Sequence, residues 1–331
     1  MNAAQLTELL VHSIMRNRKV LVKGKPGIGK TDIVKAAAEQ SKSKLVFFHA
    51  SISDAVDVKG LPFCVDGEAE FLPYGDFRKI LNAKTMTTVF LDDLGQAPVS
   101  VQAALMQVLH GQRINGYTIP DCVRFVGATN DTSHMAGVSG IIEPVKSRWD
   151  TIVTLDVSVD DWCSWGQRNG MPIMLMAYMK SCPQALDDFK PTRELTNSPC
   201  PRGWAAVGRW INEGIDNVEV IAGAVGLGRA TEWCKFNEMA SKLPPLTDVR
   251  ADPKGTPLPD NASMQFALTC GLAYTSTEKN ITQDLVFMDR MPKQFSHLYV
   301  MDAWRKNPKI TGSNDLKKWL CRPDNAAITL G

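Results

Sequence analysis

Apolar residues in the first half of the chain fall into short runs separated by stretches of helical spacing. Val20-Leu-Val-Lys23, Leu45-Val-Phe-Phe-His49, Thr88-Val-Phe-Leu-Asp92, Val123-Arg-Phe-Val-Gly-Ala128 and Thr151-Ile-Val-Thr-Leu155 each predict a buried strand. Between them, Lys30 to Ser41 is alanine-rich at helical spacing. Ser100 to Leu109 sets Val101, Leu105, Val108 and Leu109 on one helical face. Strands alternating with helices predict βαβ units and an α/β domain with a parallel five-stranded sheet covered on both faces.

After about Asp156 the strand pattern fades. Trp162 to Asn169, Pro172 to Lys180, Trp204 to Asn212, Val218 to Phe236, Met264 to Tyr274 and Thr282 to Arg305 read as helices, the last divided at Pro292. Leu186 to Pro201 and Pro244 to Ala262 read as loops, being rich in Pro, Asp, Thr and Asn. The expected organisation is a nucleotide-binding α/β domain over residues 1–155 and an all-α domain over 156–331. Two hairpins are also predicted. One turns at Asp66-Gly67 between short apolar arms from Gly60 to Phe71, the other at Asn115-Gly116 between Arg113 and Ile119.

Composition excludes several classes. The 331 residues carry 37 Lys plus Arg against 35 Asp plus Glu, a net charge of +2. The charges are balanced in both halves, so neither is a basic arm or an acidic tail, which argues against a dedicated nucleic-acid binder. The eight cysteines form no C-x-x-C pair and the five histidines do not cluster with them. A zinc site or disulfide framework is therefore not expected, and scattered thiols point to a reducing, cytoplasmic setting. The N-terminus lacks the pattern of a signal peptide. The most apolar run, Val220 to Gly228, is too short and glycine-rich to span a bilayer.

The candidate chemistry begins at Gly24-Lys25-Pro26-Gly27-Ile28-Gly29-Lys30-Thr31, which fits G-x-x-x-x-G-K-[ST] between a predicted strand and helix. The glycines let backbone N–H groups turn inward, and with the helix N-terminus, where Asp32 follows, they can hold a phosphate chain. Lys30 supplies a cation for the β- and γ-phosphates, and Thr31 a hydroxyl for Mg²⁺. Asp92 and Asp93 end an apolar strand, where a parallel sheet meets its ligand crevice. Asp92 is expected to hold Mg²⁺ through water, and Asp93 to orient or deprotonate the attacking water. Asn130, ending the next strand, can bond the γ-phosphate or that water.

These residues resemble the AAA+ ATPases, and within them the MoxR family. Gly24–Thr31 resembles Walker A. Leu91-Asp-Asp-Leu-Gly-Gln-Ala-Pro98 followed by Val101-Gln-Ala-Ala-Leu105 resembles Walker B and the helix after it. Ala128-Thr-Asn130 is similar to sensor 1, Val145-Lys-Ser-Arg148-Trp to the arginine-finger segment, and Cys200-Pro-Arg202-Gly-Trp204 to sensor 2. The resemblance also takes in Asp57-Val-Lys-Gly60-Leu-Pro62 and Ile221-Ala-Gly-Ala-Val-Gly226, and runs from residue 20 to about residue 305. The two hairpins match that family's helix-2 insert and the hairpin before sensor 1, elements that face a ring pore or surface.

The resemblance implies an ATPase using ATP and Mg²⁺, assembled as a ring, usually a hexamer. Arg148 would reach a neighbour's γ-phosphate, and Arg202 the nucleotide of its own subunit. It further implies a chaperone or remodelling role on a client or adaptor protein, such as one with a von Willebrand factor A domain. Asp93 departs from the glutamate common in the family. It is one methylene shorter, and slow turnover is one consequence. His49 or Ser51 is the candidate restraint on that acid. The alternatives are an ATP-dependent oligomeric scaffold with little turnover, and a nucleic-acid motor or loader.

Overall fold

The computed structural model describes residues 1–130, 140–190 and 195–325. The backbone forms two compact units. The first comprises Met1–Asp161 with Phe189–Leu195 and Cys200–Arg202, and the second the remainder.

In the first unit the strands are β1 (Val20–Lys23), β2 (Lys44–His49), β3 (Leu61–Val65), β4 (Glu68–Leu72), β5 (Thr87–Asp92), β6 (Arg113–Ile114), β7 (Tyr117–Thr118), β8 (Val123–Thr129) and β9 (Thr151–Thr154). The helices are α1 (Ala3–Met15), α2 (Lys30–Gln40), α3 (Ala55–Lys59), α4 (Gly75–Leu81), α5 (Val99–Gly111) and α6 (Glu143–Lys146). One five-stranded sheet runs in the order β2-β5-β8-β1-β9, and every pairing is parallel. All five predicted strands form it. Helices flank this sheet, and a helical region follows it in the chain.

The period of two along each strand sorts the core. Val20, Val22, Phe90, Val126 and Ala128 face α1 and α2, where Leu6, Leu10, Ile14, Ile33, Val34 and Ala37 are buried. Leu21, Val89, Leu91 and Phe125 face the opposite way, against Val101, Leu105, Val108 and Leu109 of α5 and Phe77 and Ile80 of α4. Both sheet faces are covered, which is why β5 and β8 are buried along almost their whole length. The sequence reading did not anticipate α1. Its signal was present as a capping box: Asn2 Oδ1 accepts from the Gln5 N–H (2.9 Å), and Gln5 Oε1 accepts from the Asn2 N–H (3.2 Å).

Two antiparallel hairpins stand apart from the main sheet, as predicted. β3–β4 turns at Asp66-Gly67 and β6–β7 at Asn115-Gly116, all four residues having positive φ. Asn115 Nδ2 donates to the Lys59 carbonyl (2.7 Å), tying the second hairpin to the helix that precedes the first.

The second unit is helical: α7 (Val159–Arg168), α8 (Ile173–Ser181), α9 (Pro201–Asn212), α10 (Val218–Val225), α11 (Leu227–Ala240), α12 (Leu246–Ala251), α13 (Ala262–Tyr274), α14 (Ile281–Met288), α15 (Lys293–Lys306) and α16 (Asn314–Leu320). The first residues of α7 and α9 belong to the first unit. Two expectations are corrected. The single helix expected over Val218 to Phe236 is two, because Gly226 at φ 77° ends α10 and begins α11. The Pro244 to Ala262 loop contains α12, which buries Val249. The Leu186 to Pro201 loop lies partly outside the described residues. Pro292 divides the last long helix as predicted, with α15 starting directly after it. Among the described residues, no helix is long and apolar enough to cross a membrane.

Candidate nucleotide-binding active site

Parallel pairing brings the C-terminal ends of β1, β5 and β8 to one edge of the sheet, and each end carries part of the site. β1 runs into the phosphate loop. The loop's start is fixed by the Gly24 N–H, which donates to the Thr129 carbonyl at the end of β8 (3.2 Å). Gly27 (φ 76°) and Gly29 (φ 94°) take left-handed backbone geometry, and Gly29 precedes the first turn of α2. Residues with side chains would strain both positions, so the motif's glycines follow from the shape of the loop.

Lys30 is buried and its ammonium is fully engaged. It donates to the carbonyls of Gly24 (2.9 Å) and Lys25 (2.8 Å) and to Asn130 Oδ1 (2.7 Å). Burial pushes it down to about 8, against the pull of Asp92 and Asp93, which favour the charge. Thr31 Oγ1 lies 3.3 Å from Asp92 Oδ2, and Asp92 Oδ1 accepts from the Asp93 N–H at 3.0 Å. Thr31 and Asp92 are hard oxygen donors at one point beside the phosphate loop. That donor set fits Mg²⁺, which binds few protein ligands and completes its shell with phosphate and water.

Asp93 adopts a left-handed conformation (φ 52°, ψ 38°). Asp and Asn tolerate this region better than other side-chain-bearing residues. Its Oδ1 accepts from Asn130 Nδ2 (3.3 Å), and the same Nδ2 lies 3.4 Å from Gln96 Oε1. Asn130 thus joins the lysine of the phosphate loop to the acid at the end of β5. Burial, together with the Asp92 carboxylate, holds the Asp93 carboxyl above the usual range, while Lys30, His49 and Arg202 oppose the shift.

Residues 20–157 match the family described as ATPase family associated with various cellular activities (AAA). Over these residues the chain is similar to an AAA ATPase domain. Among curated proteins, none matches the sequence. Solved structures with a similar fold include the Thermotoga maritima RuvB Holliday junction branch migration motor. That chain is 17% identical, with 81% of this chain and 80% of that one covered at a TM-score of 0.40. A RuvB mutant from the same organism is 16% identical over 81% and 80%, at 0.42. NtrX from Brucella abortus is 14% identical, covering 98% of this chain and 66% of its own at 0.38.

This region brings together Lys30, Thr31, Asp92, Asp93 and Asn130, all named from sequence. Arg202 joins them through its backbone: its N–H donates to the Gly27 carbonyl (2.9 Å), and its exposed guanidinium lies close enough to disfavour the Lys30 charge. Two positions differ in setting. Asp32, in the first turn of α2, turns its carboxylate to solvent beside Lys35 (3.7 Å). Arg148 bonds within its own turn, to the Pro144 carbonyl (2.5 Å) and Ser147 Oγ (3.0 Å). Its Nε is buried without a partner among the described residues. Of the two candidate restraints, His49 is exposed and pairs in register with Asp92, and Ser51 lies in the 3₁₀ turn after β2. The hydrogen bond to Asp93 comes from Asn130 instead.

Sequence reasoning missed two contributors. Gln96 reaches the site because the 3₁₀ turn Leu94–Gln96 folds back, its N–H donating to the Asp93 carbonyl (2.9 Å). Cys200 packs on the phosphate loop so closely that a Cβ on Gly27 would lie 2.8 Å from its Sγ. Cys200 lay inside the segment similar to sensor 2, which was read for Arg202. Gln96 lay inside the motif, but a lone glutamine three residues past an acid signals nothing by itself.

Proposed function

We propose that the chain binds and hydrolyses ATP with Mg²⁺, working as a MoxR-like remodelling ATPase on a partner protein. The observation that carries this reading is the unbroken chain from Lys30 through Asn130 to Asp93. A structural glycine-rich turn has no need of a buried cation, an amide and a partly buried acid linked in series. Lys30, the loop N–H groups and the α2 N-terminus would bind the phosphates. Thr31 and Asp92 would hold Mg²⁺, which when bound neutralises charge on the β- and γ-phosphates. Asp93 would accept a proton from the attacking water or orient it, and Asn130 would keep that carboxylate registered against the phosphate loop.

Charge that develops at the γ-phosphate calls for a further cation beside those of the phosphate loop. Arg148 is the candidate, supplied to a neighbouring subunit in a ring, its incompletely bonded guanidinium being consistent with a partner elsewhere. Arg202 would contact the nucleotide in cis. A client or adaptor, such as a von Willebrand factor A domain protein, would meet the exposed β3–β4 hairpin, which carries Leu61, Phe63, Phe71 and Leu72 outward. Phosphate release by the wild type, compared with Lys30→Ala and Asp93→Asn, tests the reading. Turnover well above both variants is expected. A wild type no faster than Lys30→Ala, under conditions where the oligomer forms, would leave an ATP-gated scaffold. The shorter side chain of Asp93 favours that second reading.

A further inference from the structure

The acid at position 93 is short for its task, and its backbone is held left-handed. What stands beside it is Gln96. The 3₁₀ turn closed by the Gln96 N–H on the Asp93 carbonyl fixes the two residues to each other. Both side chains then meet one group, Asn130 Nδ2, at 3.3 Å from Asp93 Oδ1 and 3.4 Å from Gln96 Oε1. The orientation of that amide is not arbitrary. Lys30 Nζ is a pure donor and lies 2.7 Å from the other end of Asn130, so that end must be the oxygen. Nδ2 therefore faces Asp93 and Gln96, and its two protons serve two acceptors. Gln96 must in turn present its own oxygen, which directs its Nε2 donors away from Asn130.

An acid that only accepts hydrogen bonds cannot by itself define both the position and the orientation of a water molecule. A carboxamide offers a donor and an acceptor, and in other P-loop enzymes a glutamine orients the attacking water. Resting on the hydrolytic reading above, we propose that Gln96 is a positioning residue: with Asn130 it sets the Asp93 carboxylate and the water beside it, making up for the missing methylene. Its contribution belongs to the chemical step, because its side chain meets Asn130 Nδ2 and its backbone N–H meets the Asp93 carbonyl, both at the acid.

Steady-state ATP hydrolysis and equilibrium ATP binding are measured on the full chain for wild type, Gln96→Ala and Gln96→Glu. Gln96→Ala is expected to lower kcat by about tenfold to a hundredfold, the scale of a misplaced reacting group, with KM and the ATP Kd within twofold. Gln96→Glu keeps the shape and an oxygen that accepts from Asn130 Nδ2, but loses the carboxamide's donors. It is expected to bind ATP as the wild type does and to recover at most part of the kcat lost in Gln96→Ala. A merely structural glutamine would lose binding and turnover together. Unchanged kcat in Gln96→Ala with an active wild type overturns this proposal alone. So does a fall in kcat matched by an equal loss of ATP binding, or full wild-type kcat in Gln96→Glu. A wild type without turnover overturns both this proposal and the hydrolytic reading.

Discussion

At the scale of single residues, Lys30 and Asp93 show how a shared environment sets two charges. Both are drawn from water, which disfavours each ionised form, and each supports the other's charge. With Lys30 lowered to about 8, the ligand-free domain carries a neutral amine above that pH, while the phosphates need an ammonium. Binding should therefore take up close to one proton above pH 8 and almost none below pH 7, and affinity should weaken as pH rises through 8. Calorimetric titration of a non-hydrolysable nucleotide in two buffers of different ionisation enthalpy measures the uptake. Buffer-independent heats at pH 9 would refute it. Lys30 was legible in sequence because the motif's spacing is dictated by the loop it builds. The left-handed φ of Asp93 was not, since a backbone angle within a turn is set by what packs around that turn.

At the scale of elements, periodicity read strands well and helix ends less well. Each central strand is a near-continuous apolar run because both of its faces are covered, a pattern that needs no partner to be recognised. The split between α10 and α11 was hidden because apolar residues continue through Val225, Leu227 and Ala230 without a proline, and a lone glycine such as Gly226 is tolerated within a helix. In the helical unit, α12 and α14 are joined by Arg250 and Asp284. Arg250 donates to the two carboxylate oxygens at 2.8 and 3.0 Å, and Tyr299 adds a third hydrogen bond at 3.0 Å to a fully buried acid. Arg250→Leu removes the charge partner and leaves that acid unpaired. Unfolding in denaturant should show a loss of about 3–5 kcal/mol, while a double variant with Asp284→Asn should recover part of it. A loss under 1 kcal/mol would mean the pair is already compensated by water.

At the scale of the molecule, the α/β unit contains the phosphate loop, Thr31, Asp92 and Asp93, whereas Arg148 is bonded within its own turn. If Arg148 serves a neighbour, two inactive variants should complement. Arg148→Ala keeps an intact phosphate loop, and Lys30→Ala keeps an intact arginine, so mixed assemblies contain sites with both. Mixing equal amounts should restore a readily measured fraction of wild-type phosphate release, and a cis arginine would restore none. The sequence by itself determined the strands, the phosphate loop and the acidic pair, since apolar runs and glycine spacing are local consequences of burial and backbone geometry. Only the tertiary structure decided which groups meet. Gln96, Asn130 and Lys30 are far apart along the chain or unremarkable in it, and they converge because parallel strands end together at one edge, where Asn130 has one oxygen and one NH₂ to share among three neighbours.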